Sequence, residues 1–368
     1  MEFWIINAVI AFVLCVFFAG IVIPQILLIA FRRNLFDEPD ERKIHTSAVP
    51  RLGGIAFKPV VFFTIVLLLG INVLLGNSNF ISTSVFNVSE MAFAYCAVMM
   101  LYLVGMADDL IGVRYSAKFF VQISCAAMLI AGGLYIGDFD GIFGVHGISI
   151  WIAYPFTALV IVFIINAINL IDGIDGLCSG LCSVSLAFYG ITFFVFQEYM
   201  YGLIAFATLG VLVPFFYYNV FGNAKKGRKI FMGDTGSLTI GIILCILSLK
   251  MLNAVPADYH LEANAMVLAF TPLIIPCFDV IRVYFHRVRN GKNPFLPDKN
   301  HIHHKLLAIG MAQRSAMISI VCFSILLTAF NFYMSKYMNV NVLLIIDALV
   351  YTLINIWLSK KINHSQQR

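Results

Sequence analysis

Charge is scarce in this chain. Asp, Glu, Lys and Arg make up only 12% of its 368 residues, against 61% apolar ones, and soluble globular domains carry roughly twice that charge. A water-soluble fold is thereby excluded, and the bilayer is implied as solvent. Cysteine provides no framework either. Cys15, Cys96, Cys125, Cys178, Cys182, Cys245, Cys277 and Cys322 all fall inside or at the edges of apolar runs, and none forms a CxxC pair; they read as small packing residues. The leading segment lacks the basic start of a secretory signal. It begins Met1-Glu2, runs too long, and is followed by Arg32-Arg33, the pattern of a retained span.

What is present is a series of apolar runs, most of them roughly 18 residues or more, enough to cross about 30 Å of hydrocarbon. They predict eleven helices, near 3–31, 55–76, 90–107, 119–136, 149–167, 178–196, 199–218, 236–254, 264–284, 315–334 and 340–359. The fold class is therefore an all-α polytopic integral membrane protein. A single membrane domain, 1–368, is expected, with catalytic loops at 32–54, 108–118, 167–177, 219–235 and 285–314. Basic residues concentrate in alternate loops: Arg32 to Arg51, Arg114 and Lys118, Lys225 to Lys229, and Arg287 to Arg314, with Lys360, Lys361 and Arg368 in the tail. By the positive-inside rule these loops are cytoplasmic, which puts the N-terminus outside and the C-terminus inside. The net charge of +5 reflects this asymmetry and does not indicate nucleic acid.

The polar clusters fall on the same face. Asp108-Asp109 ends the third span and Lys118 opens the fourth. Asn166-Ala-Ile-Asn169-Leu-Ile-Asp172-Gly-Ile-Asp175-Gly-Leu177 ends the fifth. Asn219 precedes Lys225-Lys-Gly-Arg228-Lys229 and Gly233-Asp234-Thr-Gly236-Ser237. Asp279 and Arg282 lead to Pro294-Phe-Leu-Pro297-Asp298 and His301-Ile-His303-His304, and Arg42-Lys43-Ile-His45 lies in the first loop. The opposite face carries no cluster of comparable density. Ionisable groups at membrane depth default to a functional reading. A transporter would place them near the midplane, on repeated halves, whereas here they sit at span ends on one side and no internal repeat is visible. An enzyme at the inner membrane surface fits better.

Carboxylates and carboxamides suit magnesium, which takes one or two carboxylates plus substrate phosphate oxygens. Lys118 and the basic loops suit phosphate, and the Gly233–Ser237 turn opens a helix whose amides can receive an anion. Together these point to phosphoryl transfer. Each signal is weak alone. Paired aspartates at a helix end are usually a solvated terminus, a Gly-Asp-x-Gly-Ser turn is ordinary at helix starts, and basic loops serve topology and anionic lipid. The histidine group lacks a Cys or carboxylate at ligand spacing, which favours phosphate binding over zinc. Their convergence carries the inference.

These motifs resemble those of the polyprenyl-phosphate N-acetylhexosamine-1-phosphate transferases, a membrane family. Arg42-Lys43-x-His45 with Gly53-Gly54, Asp108-Asp109, Asn166 to Leu177, Phe231 to Leu238, and Asp298-x-x-His301-x-His303-His304 occur in the family's order over roughly 42–304. The His-Ile-His-His form looks like the GlcNAc-1-phosphate branch; the muramoyl-pentapeptide branch usually has three contiguous histidines. The resemblance implies transfer of a sugar-1-phosphate from a UDP-N-acetylhexosamine to polyprenyl (undecaprenyl) phosphate, with UMP released, at the start of cell-envelope polysaccharide synthesis in a bacterial inner membrane. By similarity, Asn169 and Asp234 hold magnesium, or manganese in its place. Asp108, Asp109, Lys118, His301, His303 and His304 form the catalytic group. Asn166, Asp172, Asp175, Asn219, Lys43, His45, Arg282 and Asp298 bind substrate. A homodimer is compatible with all of this.

Two roles stay open for Asp108 and Asp109: a base for the lipid phosphate, or organisers of Lys118, the metal's water shell or that phosphate. A phosphate monoester has its second pKa near about 6 and is mostly ionised at neutral pH, so a base has little to contribute and the second role is preferred. GlcNAc is the expected sugar, with GalNAc, FucNAc, QuiNAc and MurNAc-pentapeptide as alternatives. Two other enzyme classes fail on motif. A prenyl synthase needs DDxxD, whereas Gly112 fills the fifth position; a CDP-alcohol phosphotransferase needs Asp-Gly then Ala-Arg, whereas Ile174-Asp175 follows Asp172-Gly173. A polytopic carrier of anionic metabolites is the non-enzyme alternative.

Overall fold

The computed structural model describes residues 1–33, 35, 49–77, 87–255, 264–291, 293 and 300–366. Among these every regular element is helical. In chain order they are α1 (Glu2–Arg33), α2 (Phe57–Leu74, entered by a 3-10 turn at Gly53–Ala56), α3 (Val88–Ile111), α4 (Tyr115–Ala131), α5 (Ile150–Ile171), α6 (Leu177–Val195) and α7 (Tyr199–Phe216, extended by a π turn to Phe221). There follow α8 (Gly233–Ala254), α9 (Ala265–Phe270), α10 (Ile274–Arg289), α11 (Ile302–Ala308), α12 (Gln313–Met334) and α13 (Val340–Gln366). Ten stretches are long and apolar enough to span a membrane, α9 and α10 counting as one, and α4 is a shorter eleventh. The expected spans are matched within a few residues. Two details differ. Pro272 has no N–H to give, and the expected ninth helix breaks there into a 3-10 turn at Thr271–Leu273. The short α11, built on the histidine motif, was not expected as a helix.

α8 is the centre of the bundle. Its apolar window is 94% buried, against 28% for α1, and it packs against α3, α5, α6 and α9. A helix apolar on every side belongs where neighbours surround it. Its start is approached closely by the first loop: Gly53 and Gly54 donate backbone bonds to Phe231 and Met232 carbonyls at 3.0 and 2.9 Å. A Cβ at Gly54 would lie 2.0 Å from the Gly236 nitrogen, so only glycine permits that contact. The first turn of α8 has no side-chain cap of its own. Asp109 supplies one from α3, accepting from the Asp234 and Thr235 N–H groups at 2.8 Å each and from Thr235 Oγ1 at 2.5 Å. Unpaired amide donors at a helix start need such an acceptor.

The far end of α8 corrects one expectation. The side opposite the motifs does hold a dense polar cluster. Lys250 Nζ lies 3.5 Å from Glu90 and 3.3 Å from Glu198, and sits 4.9 Å over the ring of Tyr201. Tyr201 Oη in turn donates to Glu90. Glu90, Tyr201 and Lys250 are buried, so the group ties the far ends of α3, α7 and α8 together. All eight cysteines are free, as expected of packing residues.

Removing one partner of a buried ion pair costs about 3–5 kcal/mol, because the other charge is left uncompensated. Lys250→Met is therefore expected to lower unfolding stability by about 3 kcal/mol or more. A melting curve in detergent that overlays the parent's would contradict this. Asp109→Ala removes the cap of α8 and is expected to lower stability by about 1–2 kcal/mol, and Asp108→Ala to do so much less; equal melting temperatures for the two variants would refute the capping role.

Candidate active site

Successive helices alternate in direction, so the ends of α3, α5 and α7 and the starts of α4, α6 and α8 share one end of the bundle. The motif residues meet there. Lys118, on the first turn of α4, lies 3.1 Å from Asp108 Oδ2 and 2.8 Å from Asp234 Oδ2. Asp108 Oδ1 accepts from the Val113 N–H at 2.7 Å, which shapes the α3–α4 turn. Asn169, on the last turn of α5, directs its Nδ2 to Asp234 Oδ1 at 3.2 Å and to Ser237 Oγ at 2.8 Å. Asp234 is thus reached from α3, α4 and α5 at once, although 125 residues separate it from Asp109.

Asp172 caps α5 and is open to the cleft. Its carboxyl is pushed up to about 7: crowding by protein deprives it of bulk water, and Asp175, Asp234 and Asp109 repel its charge while Arg51 opposes them. Asp175 is held in an ion pair with Lys229.

The histidine motif closes the cleft from the other side. His303 is buried, and its Nε2 would lie 2.2 Å from a Cβ at Gly173, so its ring rests directly on the turn that carries Asp172. Burial, with His304 and His301 adjacent, lowers its pKa to about 3, and it stays neutral at physiological pH. Both its ring nitrogens are buried without a hydrogen-bond partner, a cost justified where a ligand completes the bonding. Lys305, one residue beyond His304, is lowered to about 8 by burial and by Arg282.

Three expected site residues make hydrogen bonds to the scaffold. Asn219 is buried, accepting from the Gly176 N–H at 2.6 Å and donating to the Ile230 carbonyl at 2.9 Å. It braces the turns on which Asp175 and Asp234 stand. Asn166 donates to Gln122 on α4 and to the Val162 carbonyl. Arg282 donates to Asp279 and to the Asn300 carbonyl. Lys43, His45 and Asp298 lie outside the described residues. Lys229, Arg51, Thr235, Asp279 and Tyr351 belong to the surroundings of the site; Lys229 and Asp279 were noted among the polar clusters, and none of the five was assigned a role. For Lys229 and Arg51 the basic loops were the available signal; for Tyr351, inside an apolar run, there was none.

Magnesium can be tested against this donor set. The Lys118 ammonium already occupies a position between two carboxylates, which marks the spot as one where a cation is favoured. The side chains around it offer only hard donors: carboxylate, carboxamide and hydroxyl. Among the described residues no group of three or more His, Cys, Asp or Glu could hold a metal unaided. An ion here would have to be held by one or two protein carboxylates and completed by phosphate oxygens, as magnesium commonly is.

Comparison with known proteins agrees with the geometry. The model of "Glycosyl transferase family 4" matches residues 91–252, the stretch from Asp108 through Asp234. A probable undecaprenyl-phosphate N-acetylglucosaminyl 1-phosphate transferase of Bacillus subtilis (strain 168) is 29% identical over 316 residues, 86% of this chain and 81% of the relative. An undecaprenyl-phosphate alpha-N-acetylglucosaminyl 1-phosphate transferase of Yersinia pestis is 30% identical over 303 residues, 81% of this chain and 76% of its own length. The protein of that name from Escherichia coli (strain K12) is 27% identical over 303 residues, covering 82% and 77%. With a cleft assembled from the matched segment and relatives aligned over most of its length, the chain belongs to glycosyl transferase family 4.

Proposed function

We propose that this protein transfers GlcNAc-1-phosphate from UDP-GlcNAc to undecaprenyl phosphate, at the cytoplasmic face of a bacterial inner membrane. An oxygen of the lipid phosphate attacks the β-phosphorus of the donor, the bond from that phosphorus to the bridging oxygen breaks, and UMP leaves. One phosphoanhydride replaces another. The observation that carries the reading is the convergence of Asp108, Lys118, Asn169 and Asp234 at one end of the bundle, beside the Asp172 turn and the histidine segment. The relatives' names supply the acceptor and the sugar, and the basic loops at that end support the cytoplasmic orientation. The single membrane domain, 1–368, with its catalytic loops is part of the same reading.

Lys118 binds and orients the donor's diphosphate once substrate draws it away from the carboxylates, and offsets charge that builds on the leaving oxygens. Asp234 and Asn169 are the residues that would hold magnesium; the amide has only to turn over to present its oxygen. When bound, the ion neutralises phosphate charge and polarises the phosphorus. Asp108 holds Lys118 and the α3–α4 turn in register, while Asp109 keeps the first turn of α8 where Asp234 is needed. Asp172 and Asp175 line the side of the cleft facing the nucleotide-sugar, and His303 and His304 close it over the phosphates.

Purified protein with undecaprenyl phosphate, UDP-GlcNAc and magnesium is expected to release UMP, and EDTA to stop it. Asp234→Ala is expected to abolish turnover, with a loss of about 1,000-fold or more. A carrier would release no UMP, and a near-normal rate for Asp234→Ala would refute the metal assignment. For Asp108→Asn the loss is expected to persist above about pH 8, since the lipid phosphate is ionised there without help. Recovery of rate at high pH would instead mark Asp108 as a base.

A further inference from the structure

We propose that Asp279 is a positioning residue for His301, and that the last helix takes part in the site through Tyr351. This rests on the proposed reaction and goes beyond it, since nothing in that reaction calls for Asp279 or for α13.

Asp279, on α10, is fully enclosed, with 0% exposure. A carboxylate so placed is tolerable only when its oxygens are filled, and here both are. Oδ2 faces His301 Nδ1 at 2.7 Å. Oδ1 accepts from the Ile302 N–H at 3.0 Å, Arg282 Nη2 at 2.9 Å and Tyr351 Oη at 2.9 Å. An ionised carboxylate can only accept, so the proton of the first contact belongs to His301 Nδ1. In its neutral form the ring then has its lone pair on Nε2. His301 stacks on His303, with centroids 5.8 Å apart and planes 8° from parallel, and His303 rests on the Asp172 turn. One buried carboxylate thereby sets both the tautomer and the plane of the histidine group that faces the cleft.

The last helix secures the same unit from behind. Tyr351, Asn355 and Ser359 recur at four-residue spacing and so share one face of α13. Tyr351 reaches Asp279, while Lys305 of α11 donates to Ser359 Oγ at 2.9 Å and to the Asn355 carbonyl at 3.4 Å. Arg282 completes the carboxylate and the Asn300 carbonyl, which makes it a brace for the segment leading into His301.

The test is a double-mutant cycle on the full-length protein, read as UMP release at saturating undecaprenyl phosphate and varied UDP-GlcNAc. Asp279→Asn turns an amide N–H toward a donor and is expected to lower kcat by about 100-fold or more, with KM changed by less than about threefold. Added to His301→Ala, it is expected to cost less than about threefold further, because the pair acts as a unit. Tyr351→Phe removes one of four donors and is expected to lower kcat by about tenfold, again only while His301 is present. Histidine labelled with ring 15N reads the tautomer directly: the His301 proton is expected on Nδ1 in the parent and shifted toward Nε2 in Asp279→Asn. Losses that add fully to that of His301→Ala, or a parent His301 protonated on Nε2 alone, would overturn the proposal. Should Asp279→Asn fail to fold, Tyr351→Phe carries the cycle, and where the His301→Ala rate is too low to resolve, the 15N spectrum decides. A parent enzyme that releases no UMP yet shows the Nδ1 proton would sink the reaction while leaving the pairing intact.

Discussion

The site depends on a single carboxylate that need not touch substrate. Asp109 accepts two backbone N–H groups and a hydroxyl from the first turn of α8, and without an acceptor there that turn would open with unpaired donors in a nearly dry setting. Because α3 ends where α8 begins, the cap also brings Asp108 beside Asp234. Lys118 then has two carboxylates to bridge, and Asn169 has one to meet. The paired aspartates of the sequence thus divide their labour: one builds the turn, its neighbour presents charge into the cleft.

Much of this was legible in the residues. Long apolar runs announce spans because hydrocarbon allows few other structures, and helices lie close to where the runs place them, ten of the stretches long enough to cross. That the Asp234 turn, Asn169 and Lys118 would meet was legible because polar groups at span ends have few bland explanations. Asn166 and Asn219 show the limit of that argument. A carboxamide satisfies a backbone N–H and carbonyl as readily as a ligand, and the sequence does not distinguish the two uses. The break at Pro272 was available in the proline itself but was overshadowed by the apolar run around it.

The polar interactions that escaped notice are those spread far along the chain. Glu90 and Lys250 are 160 positions apart, Asp279 and Tyr351 72. Each looks in its own segment like an isolated irregularity, and only folding turns it into a partner. Four-residue spacing of Tyr351, Asn355 and Ser359 does appear in the sequence, yet within so apolar a helix the stripe is thin. The same thinness makes such residues consequential, since in hydrocarbon an unpaired hydroxyl or carboxylate has no water to fall back on.

α8 carries polar anchorage at both extremities, Asp234 at one and Lys250 at the other, and is enclosed along the whole length between them. The two anchors are sixteen positions apart, about 24 Å of helix at about 1.5 Å per residue. The helix consequently works as a gauge rod. Inserting or deleting one residue between the anchors would swing one of them by about 100°, carrying either the ammonium away from its carboxylates or Asp234 out of the cleft. Side chains along the rod are free to drift so long as volume is kept, whereas its length is not, and the distance between the two faces of the bundle is written into the chain as a residue count.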